Sequence, residues 1–463
     1  MNKNLNYSYI FFLLILLVVS SNCKTNKKNI AVIGTGYVGL IVGAGLADMG
    51  HTVICADIDA NKINMLNNGK MPIYEPGLAN LVKKNVDLKL LSFTCDVSLA
   101  IQVSDIIIIS VGTPQKRADL SAVKAVACSI AKNLNSYKVV CVKSTVPVGT
   151  NKFVKSLIKK HVGEEVEFDV ISNPEFLRAG SAIRDFFECN PIVLGSDSEK
   201  ALNIMEDLYI DLINNGIKII KTNFEAAETI KYAWNSFGAI KIAYINELSR
   251  FCATCGADIF AVIKGMSLSD KLLPAKDIKP GPGIGGSCLP KDTRAFIEMA
   301  KKIGVDLDIV NAYITSNKKQ KQFIIKLLYT ILPKSFKGSI KDKTIGVLGL
   351  SFKPNTDDIR MSPAIDIISH LLDSGAKVKA YDPKAMDNIR FFFNNINLCD
   401  TAYQAIEGCD VLILLTEWDE FKKLDLDIIK KLMNRPIIID GRNMFDPSVL
   451  REKGFISSSL GRV

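Results

Sequence analysis

At 463 residues and 48% apolar content the chain has the composition of a globular protein, long enough for two to four domains with sizeable cores. Its net charge of +10 comes from 58 basic and 48 acidic residues scattered along the chain. No aromatic-basic recognition element accompanies them, so nucleic acid is excluded as a partner and a polyanionic small molecule fits better.

Eleven cysteines, an odd number without a regular framework, read as thiols of a reducing compartment. Cys252 and Cys255 form a lone CxxC in a helical pattern, and with no second ligand pair no metal is expected. His51, His161 and His370 stand in no metal-binding or triad spacing, so catalysis must rest on other groups.

The first 28 residues stand apart. Ile10 to Val19 is an unbroken apolar run. As a helix it reaches about 15 Å, half of a hydrocarbon core of about 30 Å. Lys24, Lys27 and Lys28 outnumber Lys3 on its other side, which favours a cytoplasmic body. An uncleaved appendage, a peripheral membrane contact through residues 10–19 and a misassigned start all remain open.

Ile30 to Ile33 is a short apolar strand, followed by Gly34-Thr35-Gly36-Tyr37-Val38-Gly39 and an apolar helix ending at Gly50. In that context the glycines allow a tight turn and bring a pyrophosphate to the helix N-terminus. The next strand, Thr52 to Ala56, delivers Asp57, which suits the two ribose hydroxyls of NAD and repels the 2′-phosphate of NADP. Met71 to Leu78 reads as a loop from its prolines and glycine. Apolar runs at Asp105 to Val111, Lys138 to Val142 and Phe168 to Ile171 then end in Thr113, Thr145 and Asn173-Pro174-Glu175. Doubly wound folds place ligands at such strand ends, and Glu175 there is a candidate base.

From Phe224 to about Cys255 the pattern is helical, with Ala226, Ile230, Ala233, Phe237, Ile240 and Tyr244 on the apolar stripe. Glu228, Lys231 and Asn235 share another face. A lysine and an amide carried together can aim N–H donors at one oxygen, and the same spacing fits a solvated face. Gly283-Ile284-Gly285-Gly286-Ser287-Cys288-Leu289-Pro290-Lys291-Asp292 presents a thiol between glycines that backbone and substrate can approach closely. A structural cysteine beside a turn is the other reading. A further helical pattern runs from after Arg294 to about Leu332, residues 338–343 read as a linker, and a second Rossmann-like sheet begins at Thr344. It carries Ser351-Phe352-Lys353-Pro354 in place of a dinucleotide fingerprint.

These motifs, with the later TDDIR, YDP and DGRN, occur in one order over most of the chain and resemble the UDP-glucose/GDP-mannose dehydrogenase family. The resemblance implies an α/β fold of two Rossmann-like doubly wound domains joined by a long central helix: an appendage at 1–28, an NAD-binding domain at 29–220, a dimerising helical region with the cysteine loop at 221–338, and a nucleotide-sugar-binding domain at 339–463. It implies four-electron oxidation of a nucleotide sugar at C6, with NAD as cofactor, by a homodimer or higher homo-oligomer. UDP-glucose is the leading substrate. GDP-mannose, another UDP-hexose, and a non-catalytic binding subunit are the alternatives.

By resemblance Cys288 is the nucleophile that forms a thiohemiacetal and then a thioester, Lys231 and Asn235 steady the oxyanion, and Glu175, Thr145 and Asp292 surround the hydrolytic water. Gly34, Gly36, Tyr37, Val38, Gly39, Asp57, Lys62, Thr113, Thr145 and Arg360 match cofactor contacts. Glu175, Phe176, Leu177, Lys231, Asn235, Lys279, Gly285, Lys353 and Arg442 match substrate contacts. Leu272 stands where UDP-glucose enzymes carry an arginine that reaches the neighbouring subunit, and Asp277 where they carry an aromatic residue.

Overall fold

The computed structural model describes residues 27–113, 119–162, 166–189, 191–268 and 279–462. Residues 10–19, Leu272 and Asp277 lie outside them. Two sheets result from the apolar runs. The first contains β1 (Asn29–Ile33), β2 (Thr52–Ala56), β3 (Leu91–Thr94), β4 (Ile106–Ile109), β5 (Lys138–Val142), β6 (Phe168–Ser172), β7 (Ile192–Gly195) and β8 (Ile219–Thr222). Their spatial order is β3-β2-β1-β4-β5-β6-β7-β8, parallel except for the single antiparallel pairing of β6 with β7. β4, four consecutive isoleucines, is fully buried, as a strand covered on both faces must be. The order reverses between β1 and β4, and Gly34 lies at that switch point. An added Cβ there would meet the Ser110 carbonyl oxygen at 2.6 Å.

The second sheet holds β9 (Thr344–Leu348), β10 (Lys377–Tyr381), β11 (Asn397–Leu398), β12 (Val411–Leu414), β13 (Ile437–Asp440) and β14 (Ile456–Ser459), ordered β11-β10-β9-β12-β13-β14 and all parallel. Its first turn is closed to a dinucleotide. Asp382, fully buried just after β10, spends Oδ2 on Leu350 N (2.8 Å), Ser351 N (3.0 Å), Ser351 Oγ (2.9 Å) and Trp418 Nε1 (3.1 Å). Its other oxygen takes the N–H groups of Lys384 and Ala385.

Three helices bridge the sheets: α1 (Phe224–Cys255), α2 (Leu289–Lys302) and α3 (Asp308–Ile331). α1 has 32 residues. At 1.5 Å per residue that is about 48 Å. Asn223 caps its start by accepting from Ala226 N, and Gly256, at φ +79°, ends it.

Two expectations are corrected here. The helical pattern after Arg294 is two helices, because α2 starts earlier, at Leu289, and Gly304 at φ +75° breaks the run before α3. The apolar stripe of α1 is also not the buried one: Phe237 is 67% and Tyr244 51% exposed, whereas Glu228, Lys231 and Asn235 face inward. Periodicity identifies which residues share a face, and the neighbouring groups decide which face is covered. Among the described residues no helix is long and apolar enough to cross a membrane.

The second sheet's switch point depends on Gly349, at φ +93°, where a Cβ would stand 2.4 Å from Thr416 N. Gly349→Ala should therefore lower unfolding stability by about 2 kcal/mol or more. Chemical denaturation measures this, and a loss below experimental error would show that the turn tolerates a side chain.

Candidate active site

The first glycine turn leads into the helix Tyr37–Asp48, whose N-terminus has no side-chain cap and no acidic residue in its first turn. Its free N–H groups therefore suit an anion. Gly36 faces open space, with nothing within 4 Å of an added Cβ, whereas at Gly39 that atom would lie 1.9 Å from the Gly34 carbonyl oxygen. One glycine leaves room for a ligand, and the other permits close packing. Val38 is half-buried beside them.

Asp57 accepts from Thr35 N and Thr35 Oγ1, both at 2.8 Å, and from Asp59 N at 3.0 Å, with Lys62 Nζ 3.5 Å away. Burial pushes its carboxyl up, but these N–H and O–H donors and the Lys62 ammonium outweigh burial and hold it below the usual range. An ionised acid thus stands beside the turn. These groups fit NAD: an anion-ready helix end, an open glycine and a carboxylate for the ribose.

Five other candidates converge from separate elements. Lys231, 4% exposed on α1, donates to the Glu175 carbonyl oxygen at 2.5 Å and lies 3.2 Å from its Oε1. The Phe176 ring is 5.2 Å from the same ammonium. Burial pulls Lys231 down, yet Glu175 first, then Cys288 and Asp292, raise it above the ordinary lysine value. One turn along, Asn235 Nδ2 donates to Asp292 Oδ2 at 2.6 Å. Asp292 lies in the first turn of α2, nearly fully buried, with Lys291 Nζ 2.7 Å from Oδ1. Lys291 also reaches Thr113 Oγ1 at 3.2 Å, tying this helix to the β4 strand end.

Cys288 is the N-cap residue of α2, opening to solvent on one side and surrounded by protein on the others. Its surroundings raise the thiol above its usual value, first by burial and then by the Glu175 carboxylate. Lys231 and the 3.6 Å contact with Ser287 Oγ pull the other way. Burial thus favours the protonated thiol, and the Lys231 charge opposes it.

The second sheet supplies the opposite wall. Gly286 N donates to the Arg360 carbonyl oxygen at 2.8 Å. A Cβ on Gly285 would lie 2.6 Å from the Met361 carbonyl oxygen, and one on Gly286 would meet the Phe352 ring at 2.9 Å. The glycines around the cysteine therefore admit protein from the other half of the chain. Arg360 is held by both Asp358 oxygens, at 2.8 and 2.7 Å, and its charge and that of Lys353 both act on Cys288. Burial and the nearby Arg178 cation push Lys353 down. Arg442 donates to the carbonyl oxygens of Leu415 (2.7 Å) and Phe352 (2.9 Å), and Glu417 is 3.0 Å from its Nε.

The remaining candidates lie on this frame. Leu177 N donates to Glu175 Oε2 at 2.5 Å, and the Phe176 ring packs edge-on against Trp234. Thr145 is half-buried after β5, in a loop anchored where Glu228 accepts from Gly149 N, Asn151 N and Asn151 Nδ2 at 2.6–2.8 Å. Lys279 is exposed at the start of the cysteine loop.

Several groups escaped the sequence reading. Glu228, spaced to join Lys231 and Asn235, serves the neighbouring loop instead. Lys143, buried after β5, donates to Asn173 Oδ1 at 2.8 Å and so holds the loop ahead of Glu175. Asp185, fully buried, binds the Arg178 guanidinium in bidentate fashion at 2.7 and 3.0 Å. Lys143 stood beside a strand end read only for Thr145, whereas Asp185 lay outside every motif and Glu228 was grouped with the wrong partners.

The description of the UDP-glucose/GDP-mannose dehydrogenase family fits this chain in three parts: its NAD binding domain at residues 28–213, its central domain at 225–319 and its UDP binding domain at 346–447. The chain belongs to this family. It is 47% identical to UDP-glucose 6-dehydrogenase TuaD of Bacillus subtilis over 94% of this chain and 93% of that protein. It is 41% identical to a UDP-glucose 6-dehydrogenase of Rhizobium meliloti over 94% and 99%. The structure of a UDP-glucose dehydrogenase from Pyrobaculum islandicum matches with a TM-score of 0.86 at 31% identity, covering 95% of this chain and 99% of that one. NAD is the cofactor of this dehydrogenase, and its family domain covers β1 to β7 of the first sheet.

The charges around Cys288 set the direction of one test. Glu175 raises the thiol and Lys231 lowers it. Glu175→Gln should speed alkylation of Cys288 by iodoacetamide at neutral pH several-fold, and Lys231→Met should slow it. Mass spectrometry of the Cys288 peptide reads the rates, and equal rates in all three proteins would remove both charges from the thiol's surroundings.

Proposed function

We propose that this chain is an NAD-dependent UDP-glucose 6-dehydrogenase that oxidises the C6 alcohol of UDP-glucose to the carboxylate of UDP-glucuronate. The observation that carries this reading is the meeting of Cys288, Lys231, Asn235, Glu175 and Asp292, from two helices and one strand end, in one partly closed site. Relatives at 38–47% identity over 94% of the chain bear that enzyme's name.

The open Gly36 turn, the N-terminus of the Tyr37–Asp48 helix and Asp57 would hold NAD, which would supply the hydride acceptor for each oxidation. The chain's own residues do the rest. Lys353 faces the substrate anion from the second sheet, and the segment Glu175 to Leu177 positions the sugar. The Cys288 sulfur adds to the C6 aldehyde as the thiol proton passes to the carbonyl oxygen, giving a thiohemiacetal that keeps the aldehyde from leaving. Lys231 and Asn235 donate to the oxygen where negative charge develops, and each such donor is worth about 10²–10³ in rate. Loss of the second hydride from carbon, together with the hydroxyl proton to solvent, leaves a thioester. Water then attacks that carbonyl, Glu175 takes the water's proton, and the C–S bond breaks to release the carboxylate and restore the thiol.

Purified protein offered UDP-glucose should release two NADH per sugar. Cys288→Ala should abolish uronate formation and leave at most one, and Lys231→Ala should lower the rate by about 10²-fold or more. Two NADH per sugar from Cys288→Ala would sink the covalent mechanism. Turnover on GDP-mannose alone would keep the reaction class and change the substrate.

The uncovered stripe of α1 supports a homodimer. Phe237, Tyr244 and Phe251 recur every seven residues and are 67%, 51% and 67% exposed, with Trp234 beside them at 53%. A seven-residue apolar seam is what a second helix covers. Phe237→Glu combined with Phe251→Glu should convert dimer to monomer in light scattering. An unchanged mass would place the subunit contact elsewhere.

A further inference from the structure

Glu75 lies in the loop Tyr74-Glu75-Pro76-Gly77 and takes no part in the chemistry above. It is nonetheless 5% exposed and fully engaged. Its Oε2 accepts from the Tyr37 hydroxyl and from Gly180 N at 2.6 Å, and its Oε1 accepts from Ala182 N at 2.7 Å. Tyr37 opens the helix that follows the NAD turn. Gly180 and Ala182 close the segment that begins with Glu175. One carboxylate thus ties the cofactor turn to the nucleotide-sugar segment.

A third body meets the same loop. The Lys353 ammonium from the second sheet is within electrostatic reach of Glu75. Lys384 Nζ, also from the second half of the chain, lies 4.6 Å from the Tyr74 ring centroid. At Gly180 an added Cβ would stand 2.8 Å from the Asn355 carbonyl oxygen. Loop closure alone does not explain this arrangement. A buried carboxylate is costly unless every oxygen finds donors, and an apolar residue would fill the space at lower cost. What the carboxylate adds is a fixed distance between two ligand-binding segments.

We propose that Glu75 is a positioning residue for hydride transfer, setting the separation between the cofactor turn and the segment that holds the sugar. The inference rests on the dehydrogenase reading above. Misplacing reacting atoms by about 1 Å costs up to about 10²-fold in rate while leaving both ligands bound. A glutamine at this position turns one oxygen into an N–H donor, so Gly180 N or Ala182 N loses its acceptor or Tyr37 must turn away.

The test compares wild type, Glu75→Gln, Tyr37→Phe and the double variant. Glu75→Gln should lower kcat by about tenfold or more while the Kd values for NADH and UDP move by less than about threefold. The deuterium isotope effect from C6-deuterated substrate should grow, because hydride transfer becomes limiting. Tyr37→Phe should show a smaller loss of the same kind, and the double variant should be no slower than Glu75→Gln. An unchanged kcat, additive losses, or a fall in kcat matched by equal falls in Tm and NADH affinity would overturn the proposal. If Glu75→Gln fails to fold, Tyr37→Phe, which removes only the hydroxyl, carries the same readouts. A wild type inactive on UDP-glucose would sink the substrate reading instead, and the comparison is then made on the nucleotide sugar it oxidises.

Discussion

The site depends on an ammonium buried where a sheet ends. Lys231 lies beneath the strand-end segment of Glu175, bonded to both its main chain and its side chain. A lone charge there would be too costly to keep, so the pair fixes α1 against β6. One helical turn later Asn235 holds Asp292, which fixes the first turn of α2 and with it the thiol at the helix cap. The candidate catalytic groups are therefore positioned in a chain, each by the one before. Removing the ammonium would leave a buried carboxylate without its cation and a thiol without its nearby positive charge.

The two sheets share a topology but not a chemistry, and the difference lies in how each spends one acid. Asp57 binds the Thr35 turn yet keeps an edge toward solvent, with its side chain 11% exposed. Asp382 stands after the corresponding strand and is fully buried, with both oxygens used by its own turn and by Trp418. The first arrangement can accept a ribose. The second braces the loop that carries Lys353 toward the cysteine.

That loop is held under strain. Asn355 and Met361 adopt φ +63° and +55°, conformations that cost non-glycine residues about 1–2 kcal/mol each. Met361's backbone is thereby turned so that its carbonyl packs on Gly285 while the Arg360 carbonyl accepts from Gly286. The glycines on one side and the strained residues on the other make a single fitted contact between the halves of the chain.

Much of this could be read from sequence, and the limit has a physical cause. Apolar runs such as Ile106–Ile109, the glycines after β1, the acid after β2 and the thiol before α2 are local, because strand burial, turn geometry and helix ends leave their mark on adjacent residues. Those features determined the fold class and most of the candidate residues. What lies across space left no such mark. On α1 periodicity grouped Glu228, Lys231 and Asn235 but could not say that they face inward while Phe237 and Tyr244 face out, since a buried ion pair and a solvated one have the same spelling. Glu75 looked like a loop acid until Tyr37, Gly180 and Ala182 closed around it. The sequence by itself determined the elements and their chemistry. Only the tertiary structure decided which charges lose their water, and that loss makes them act on one another.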